Sequence, residues 1–299
     1  MTLTQLVPAT AVLTDNGLSF EESDGLPRTL AHGLLYVRYP QSCDFDPGVK
    51  FARSYYLDAD PGDADPFRGY RVRPLDGTQL GYSDPSADQV ELFQLELPLW
   101  RRYLPPELAT LLHNMNDVAK HVLFAICDAV GVREEHHDQI ALGVSKDEAL
   151  QYCIFNHYRR VRSSSVGFTA HKDSGFITVL YTTEAGLETL EDDRWLDVVP
   201  RPRHFTVVLG HSLEVLTANL ARPARASYHR VRSGQGDAPD RFSFGVYVGP
   251  HFEQDLYQYD CQGNLDVHMS FLDFQKIKAE EMQFEFHPKL SVAAGAGLG

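Results

Sequence analysis

The chain has 299 residues, 43% of them apolar, and 27 lysines and arginines stand against 41 aspartates and glutamates, a formal charge of -14. That length buries a substantial core but is short for two full domains, so one compact unit over 1–299 is expected. The acidic balance repels phosphate backbones and anionic lipid surfaces, which argues against nucleic acid and membrane as partners.

Met1 to Leu6 carries no basic stretch before an apolar segment, and no run approaches bilayer-spanning length. Cys43, Cys127, Cys153 and Cys261 show no C-x-x-C pairing. A cytoplasmic protein with reduced thiols is the expectation.

In chain order, Ala31 to Tyr39 is rich in strand formers and stops at Pro40, which predicts an N-terminal strand. Asp46 to Leu57 predicts a helix with Pro47 in its first turn. Pro, Gly and Asp crowd residues 58–88, a loop-rich stretch that, with Tyr82 and Phe93, forms either a lid or an ordinary surface loop. After Pro105-Pro106 the apolar stripe Leu108, Leu111, Leu112, Met115, Val118, Ala119, Val122 predicts a long helix stopped by Gly131. His113, His121, His136 and His137 on or beside it read as surface or packing residues. Ser145-x-x-Glu148 reads as a capping box opening a short helix.

From residue 151 onward, runs of Val, Ile, Phe, Thr and Tyr recur at 152–158, 176–182, 205–209 and 242–248. Such strands close as a double-sheet jelly roll, a shape that hosts metal sites between its sheets. Met269 to Met282 predicts a C-terminal helix, and the tail 293–297 a loose end. The expected fold is therefore mainly β with flanking α: N-terminal helical support and lid over 1–150, a jelly-roll core over 151–250, and a helix with tail over 251–299.

Chemistry concentrates in the β stretch. His171 and Asp173 stand two apart on a strand and share a face, while Lys172 points away. His229 lies on a later strand and supplies a second imidazole. Two imidazoles and one carboxylate suit Fe(II), and three protein ligands leave positions for a bidentate cosubstrate and O2. Arg241 and Ser243 repeat the same spacing, a planar fork and a hydroxyl that match a carboxylate, so an anionic cosubstrate is implied. Asn156 and Tyr158 share a face in the same way. A lone His-x-Asp or Arg-x-Ser recurs by chance; order and context carry the inference.

The ordered set is Phe155-Asn156-His157-Tyr158, His171-Lys172-Asp173-Ser174-Gly175-Phe176, Gly186-Leu187-Glu188, Trp195-Leu196-Asp197, Phe205 to Gly210, Leu216 to Asn219, His229-Arg230-Val231 and Arg241-Phe242-Ser243. In that order, residues 153–250 resemble the core of the isopenicillin N synthase-like branch of the 2-oxoglutarate- and iron(II)-dependent oxygenases, which includes plant flavonoid and gibberellin oxygenases. The resemblance implies that His171, Asp173 and His229 bind iron, that Arg241 and Ser243 hold the distal carboxylate of 2-oxoglutarate with help from Tyr158, and that Asn156 lies near the metal. Fe(II), 2-oxoglutarate and O2 are the implied cofactor and cosubstrates. The implied reaction is oxidation, by default hydroxylation, of an unactivated C–H bond of a small molecule, with release of succinate and CO2. Asp173 in the carboxylate position disfavours halogenation.

The sequence departs from the family at Lys172, where a small hydroxyl residue is usual, at His211, where an acid is common, and at Arg159-Arg160, where prolines are frequent. Arg160, Arg162 and Lys172 form either a contact for an acidic substrate group or a solvated basic edge. Three other readings stay open: a same-fold oxidase without 2-oxoglutarate, as in isopenicillin N synthase or aminocyclopropane carboxylate oxidase; a metal-binding jelly-roll module without turnover; and a zinc hydrolase.

Overall fold

The computed structural model describes residues 5–59, 62, 65–78, 80–85, 87–160, 164, 166–234 and 239–282. Among them, a nine-stranded sheet runs β3 (Gly17–Phe20), β2 (Ala9–Thr14), β4 (Leu34–Arg38), β12 (His204–Leu209), β9 (Ile177–Tyr181), β14 (Arg241–Gly249), β7 (Leu150–Tyr158), β6 (Val90–Glu96) and β5 (Gly81–Ser83). A five-stranded sheet runs β1 (Gln5–Leu6), β11 (Arg194–Val198), β10 (Leu187–Glu191), β13 (His229–Arg232) and β8 (Val166–His171). The sheets pack through two small apolar clusters, Leu34 and Val208 against Leu187 and Val198, and Val90, Leu92 and Tyr158 against Val231. This is the jelly roll expected from the strand pattern, and no described helix is long and apolar enough to cross a membrane.

The main core lies on the other face of the large sheet. There α4 (Pro106–Val130) lays Leu108, Leu112, Met115, Val122 and Ile126 against Phe155, Val179, Phe244 and Val246. Proline at the first turn starts the helix and Gly131, at φ +98°, ends it. Each such fully buried side chain contributes about 1.5–3 kcal/mol.

Several boundaries move. Ala31 and His32 close helix α1 (Gly25–His32), which Gly33 ends at φ +67°, so the strand begins at Leu34. Helix α2 (Asp46–Ala52) keeps its early proline but stops five residues before Leu57. No capping box forms at Ser145: its hydroxyl donates to Asp138, and Val144–Lys146 is a single 3-10 turn. Met269 and Ser270 belong to β16 (Leu265–Ser270), paired with β15 (Asp255–Tyr259), and the C-terminal helix α7 is Phe271–Met282, where the Ser270 hydroxyl accepts the Asp273 N–H at 3.1 Å. The tail 293–297 lies outside the described residues.

The region before residue 150 is not only helical, since it contributes six strands to the two sheets. Phe93 is fully buried in the helix-facing core, and the Tyr82 hydroxyl donates to Glu91 on that same face. Neither residue covers the space between the sheets, which removes them from a lid.

Candidate active site

His171 closes β8 and His229 opens β13, and the two are direct cross-strand partners. Their rings lie side by side, with centroids 4.6 Å apart at 53°. Asp173, two residues on, brings Oδ1 to 3.3 Å from Nε2 of His171 and 3.8 Å from Nε2 of His229. One ligand atom from each of the three residues lies within 4.8 Å of the others.

The second nitrogen of each ring is spoken for. Nδ1 of His171 lies 2.7 Å from the Thr169 carbonyl, and Nδ1 of His229 lies 3.1 Å from the Ser227 carbonyl. A carbonyl only accepts, so each Nδ1 carries the hydrogen and each Nε2 lone pair points to the centre. Burial, with the neighbouring His171, pushes His229 down to about 4, so it is a neutral donor at physiological pH. Burial alone would raise Asp173, but its close contacts with His171, His229 and Thr178 hold its carboxyl below its ordinary value. Acceptor atoms thus converge on one point, an arrangement that a divalent cation resolves.

Neighbouring elements hold this geometry. Strand β8 is the edge of its sheet, and buried Asp88 pins it by accepting the Thr169 N–H at 3.2 Å and the Thr169 hydroxyl at 2.6 Å. The loop after Asp173 is tied to the start of α6 (His211–Thr217). There the His211 N–H donates to the Asp173 carbonyl at 2.7 Å and the Ser212 N–H to the Gly175 carbonyl at 3.0 Å. The Ser212 hydroxyl adds a bond to the Ser174 carbonyl at 2.6 Å. A Cβ at Gly210 would lie 2.2 Å from the Gly175 oxygen, so only glycine permits this approach. Lys172 points away from the centre and meets Glu214 at 2.5 Å, and buried Lys278 of α7 donates to the Lys172 carbonyl. Asp88 and Lys278 were invisible to sequence reasoning, because their partners are distant in the chain.

Alongside the centre, β7 and β14 pair Tyr158 with Arg241 and Asn156 with Ser243. The Arg241 guanidinium lies 4.8 Å from the Tyr158 ring centroid, and Asn156 donates to the Ser243 hydroxyl at 3.2 Å. Nε and Nη1 of Arg241, and Oδ1 of Asn156, are buried yet have no hydrogen-bond partner among the described residues. Burial lowers the Arg241 pKa from its ordinary value, against the opposing pull of Tyr158 and of Glu184, which lines the same cavity. Gly186, at φ +129°, comes so close that a Cβ would lie 2.9 Å from Nη1. A cavity of about 170 Å³ opens here between Tyr158, Arg160, Gly186, Val231 and Arg241.

All seven residues expected at the site are thus placed on these strands or the loop between them. Of the basic residues expected at its mouth, Arg160 lines the cavity and Arg162 lies outside the described residues, while neighbouring Arg159 pairs with Asp84 at 2.6 Å. The remaining helix-region histidines have other partners: His113 packs on Trp100, His121 on the Asp117 carbonyl, His136 on the Tyr259 hydroxyl and His137 beside Asp128.

Residues 150–255 match the family model of the 2OG-Fe(II) oxygenase superfamily. Flavanone 3-dioxygenase 3 of Oryza sativa subsp. japonica is 29% identical over 140 residues, 46% of this chain and 40% of that protein. 1-aminocyclopropane-1-carboxylate oxidase 4 of Arabidopsis thaliana is 29% identical over 140 residues, 46% of this chain and 42% of its own length. The chain therefore spans under half the length of these curated relatives. The crystal structure of the dioxygenase for auxin oxidation in rice shares the fold, with a TM-score of 0.65, 19% identity, and coverage of 95% of this chain and 98% of that one. The matched β core, residues 150–255, is thus similar to the 2OG-Fe(II) oxygenase superfamily, and the histidine-aspartate-histidine centre lies inside it.

Proposed function

We propose that the chain is a 2-oxoglutarate- and Fe(II)-dependent oxygenase that hydroxylates an unactivated C–H bond of a small molecule, with release of succinate and CO2. It acts as one domain in the cytoplasm, without nucleic-acid or membrane partners. The observation that carries this reading is that Nε and Nη1 of Arg241, on the large sheet, are buried without a hydrogen-bond partner among the described residues, while three metal-type donors converge at the end of the smaller sheet.

In this reading His171, Asp173 and His229 hold the iron, Arg241 and Ser243 hold the distal carboxylate of 2-oxoglutarate, and Tyr158 and Asn156 border it. The bound iron and cosubstrate supply the oxidising power that no side chain has. The chain's own residues orient and exclude. The Thr169 and Ser227 carbonyls fix both ring tautomers and raise the basicity of the facing nitrogens. Tyr158, Val90, Leu92 and Val231 keep water from the inner wall. Glu214 and Lys278 keep the Lys172 segment turned so that its side chain stays out of the site.

Anaerobic addition of Fe(II) and 2-oxoglutarate should produce the visible charge-transfer band, and turnover should yield succinate. Removing a hydrogen bond between charged groups costs about 1.5–3 kcal/mol, so Arg241→Leu should weaken 2-oxoglutarate roughly 10- to 150-fold. A band that is missing in wild type would overturn the reading. The same-fold oxidase is the second reading, favoured by the similarity to aminocyclopropane carboxylate oxidase, since an arginine-serine pair also suits a substrate's own carboxylate. Turnover without succinate would select it. Turnover that needs neither O2 nor iron would point to a zinc hydrolase, and ligand binding that survives His171→Ala without any turnover to a binding module.

A further inference from the structure

Side chains alternate along β7 and β14, so the residues between the clamp residues face the helical layer. His157, between Asn156 and Tyr158, is buried there. Its Nδ1 lies 2.7 Å from Glu91, its cross-strand partner on β6, and its Nε2 lies 2.8 Å from Asp240, the residue before Arg241. Despite partial burial, both carboxyls are held below their ordinary range, by His157 and Tyr82 at Glu91 and by the Arg160 N–H and His157 at Asp240. An ionised carboxylate only accepts, so each ring nitrogen of His157 faces an acceptor and the ring bridges the two carboxylates.

The surroundings hold the ring in place. Tyr56 and Phe242 both lie nearly parallel to the ring, at 3.9 Å and 4.8 Å between centroids. The other Glu91 oxygen accepts the Tyr82 hydroxyl at 2.5 Å, with Arg159 at 3.5 Å, and the other Asp240 oxygen accepts the Arg160 N–H at 2.9 Å. One side chain therefore ties β6 and the chain ends flanking Tyr158 and Arg241, directly behind the pair that faces the cavity.

We propose that His157 is a positioning residue for the cosubstrate site: by bridging Glu91 and Asp240 it fixes the strand ends that present Tyr158 and Arg241, so carboxylate affinity depends on it while metal affinity does not. This rests on the oxygenase reading above. The test is two titrations of the full chain: Co(II) into metal-free protein, followed by calorimetry, and 2-oxoglutarate into anaerobic Fe(II) protein, followed by the charge-transfer band. Loss of one charge-assisted bond predicts that His157→Phe and Asp240→Ala each weaken 2-oxoglutarate about tenfold while the metal Kd stays within about twofold. Asp240→Asn, which can still accept from Arg160 and can donate to Nε2 of a ring that keeps its proton on Nδ1 toward Glu91, should recover most of what Asp240→Ala loses. Should His157→Phe fail to fold, the Asp240 pair decides alone, since it sits at the exposed end of the network. Unchanged 2-oxoglutarate affinity, or metal and 2-oxoglutarate affinity falling together, would overturn the assignment and leave the oxygenase reading intact. A wild type that takes up metal but no 2-oxoglutarate would overturn both.

Discussion

The two faces of β7 and β14 differ in how their polar atoms are satisfied. Toward the helices, Phe155 stacks on Phe244 at 5.3 Å and His157 has a partner at each ring nitrogen. Toward the opposite sheet, Arg241 and Asn156 keep buried polar atoms without partners among the described residues. The same backbone thus carries a face that stabilises the fold and a face that bears a cost until ligand arrives, and substitutions on the two should separate stability from binding.

The largest effect is expected at the centre itself. Asp173→Ala should abolish succinate formation and tight Fe(II) binding while the thermal melt of the metal-free protein stays cooperative; retained turnover would break the contrast. On the other face, Phe155→Ala should cost about 3–5 kcal/mol of stability, read by chemical denaturation, with the 2-oxoglutarate Kd of the surviving folded protein little changed. Asp88→Ala should weaken metal about tenfold by loosening the edge strand under His171, with Asp88→Asn intermediate, as measured by metal titration. The smallest effect is a pH dependence. His229, lowered from 6.5 to about 4 by burial and His171, takes up a proton in the unfolded chain before it does in the folded one. Stability of the metal-free protein should therefore be full above about 6.5 and fall as pH drops toward 4, together with metal affinity, as followed by melts across that window. A flat profile would place the histidine's environment wrongly.

The inner face was legible because period-two spacing alone puts His171 with Asp173, Arg241 with Ser243 and Asn156 with Tyr158. The same alternation assigns Phe93 outward, beside Glu91 and Leu95, which reading it as part of a lid overlooked. Ala9–Thr14 and Gly17–Phe20 were missed although Asp15-Asn16-Gly17 between them is a turn signal, with Gly17 at φ +98°. Asp88 under Thr169 and Lys278 under the Lys172 carbonyl were not legible at all. Each contact joins residues about eighty or more positions apart, and nothing local marks a carboxylate or an ammonium as a support for a strand or loop elsewhere.

The close seating of Gly210 and Ser212 on the loop that follows Asp173 makes the first turn of α6 a mechanical extension of the centre. Whatever stiffens that carboxylate should slow deuterium uptake at the His211 and Ser212 amides, so a helix with no ligand of its own becomes a reporter of loading.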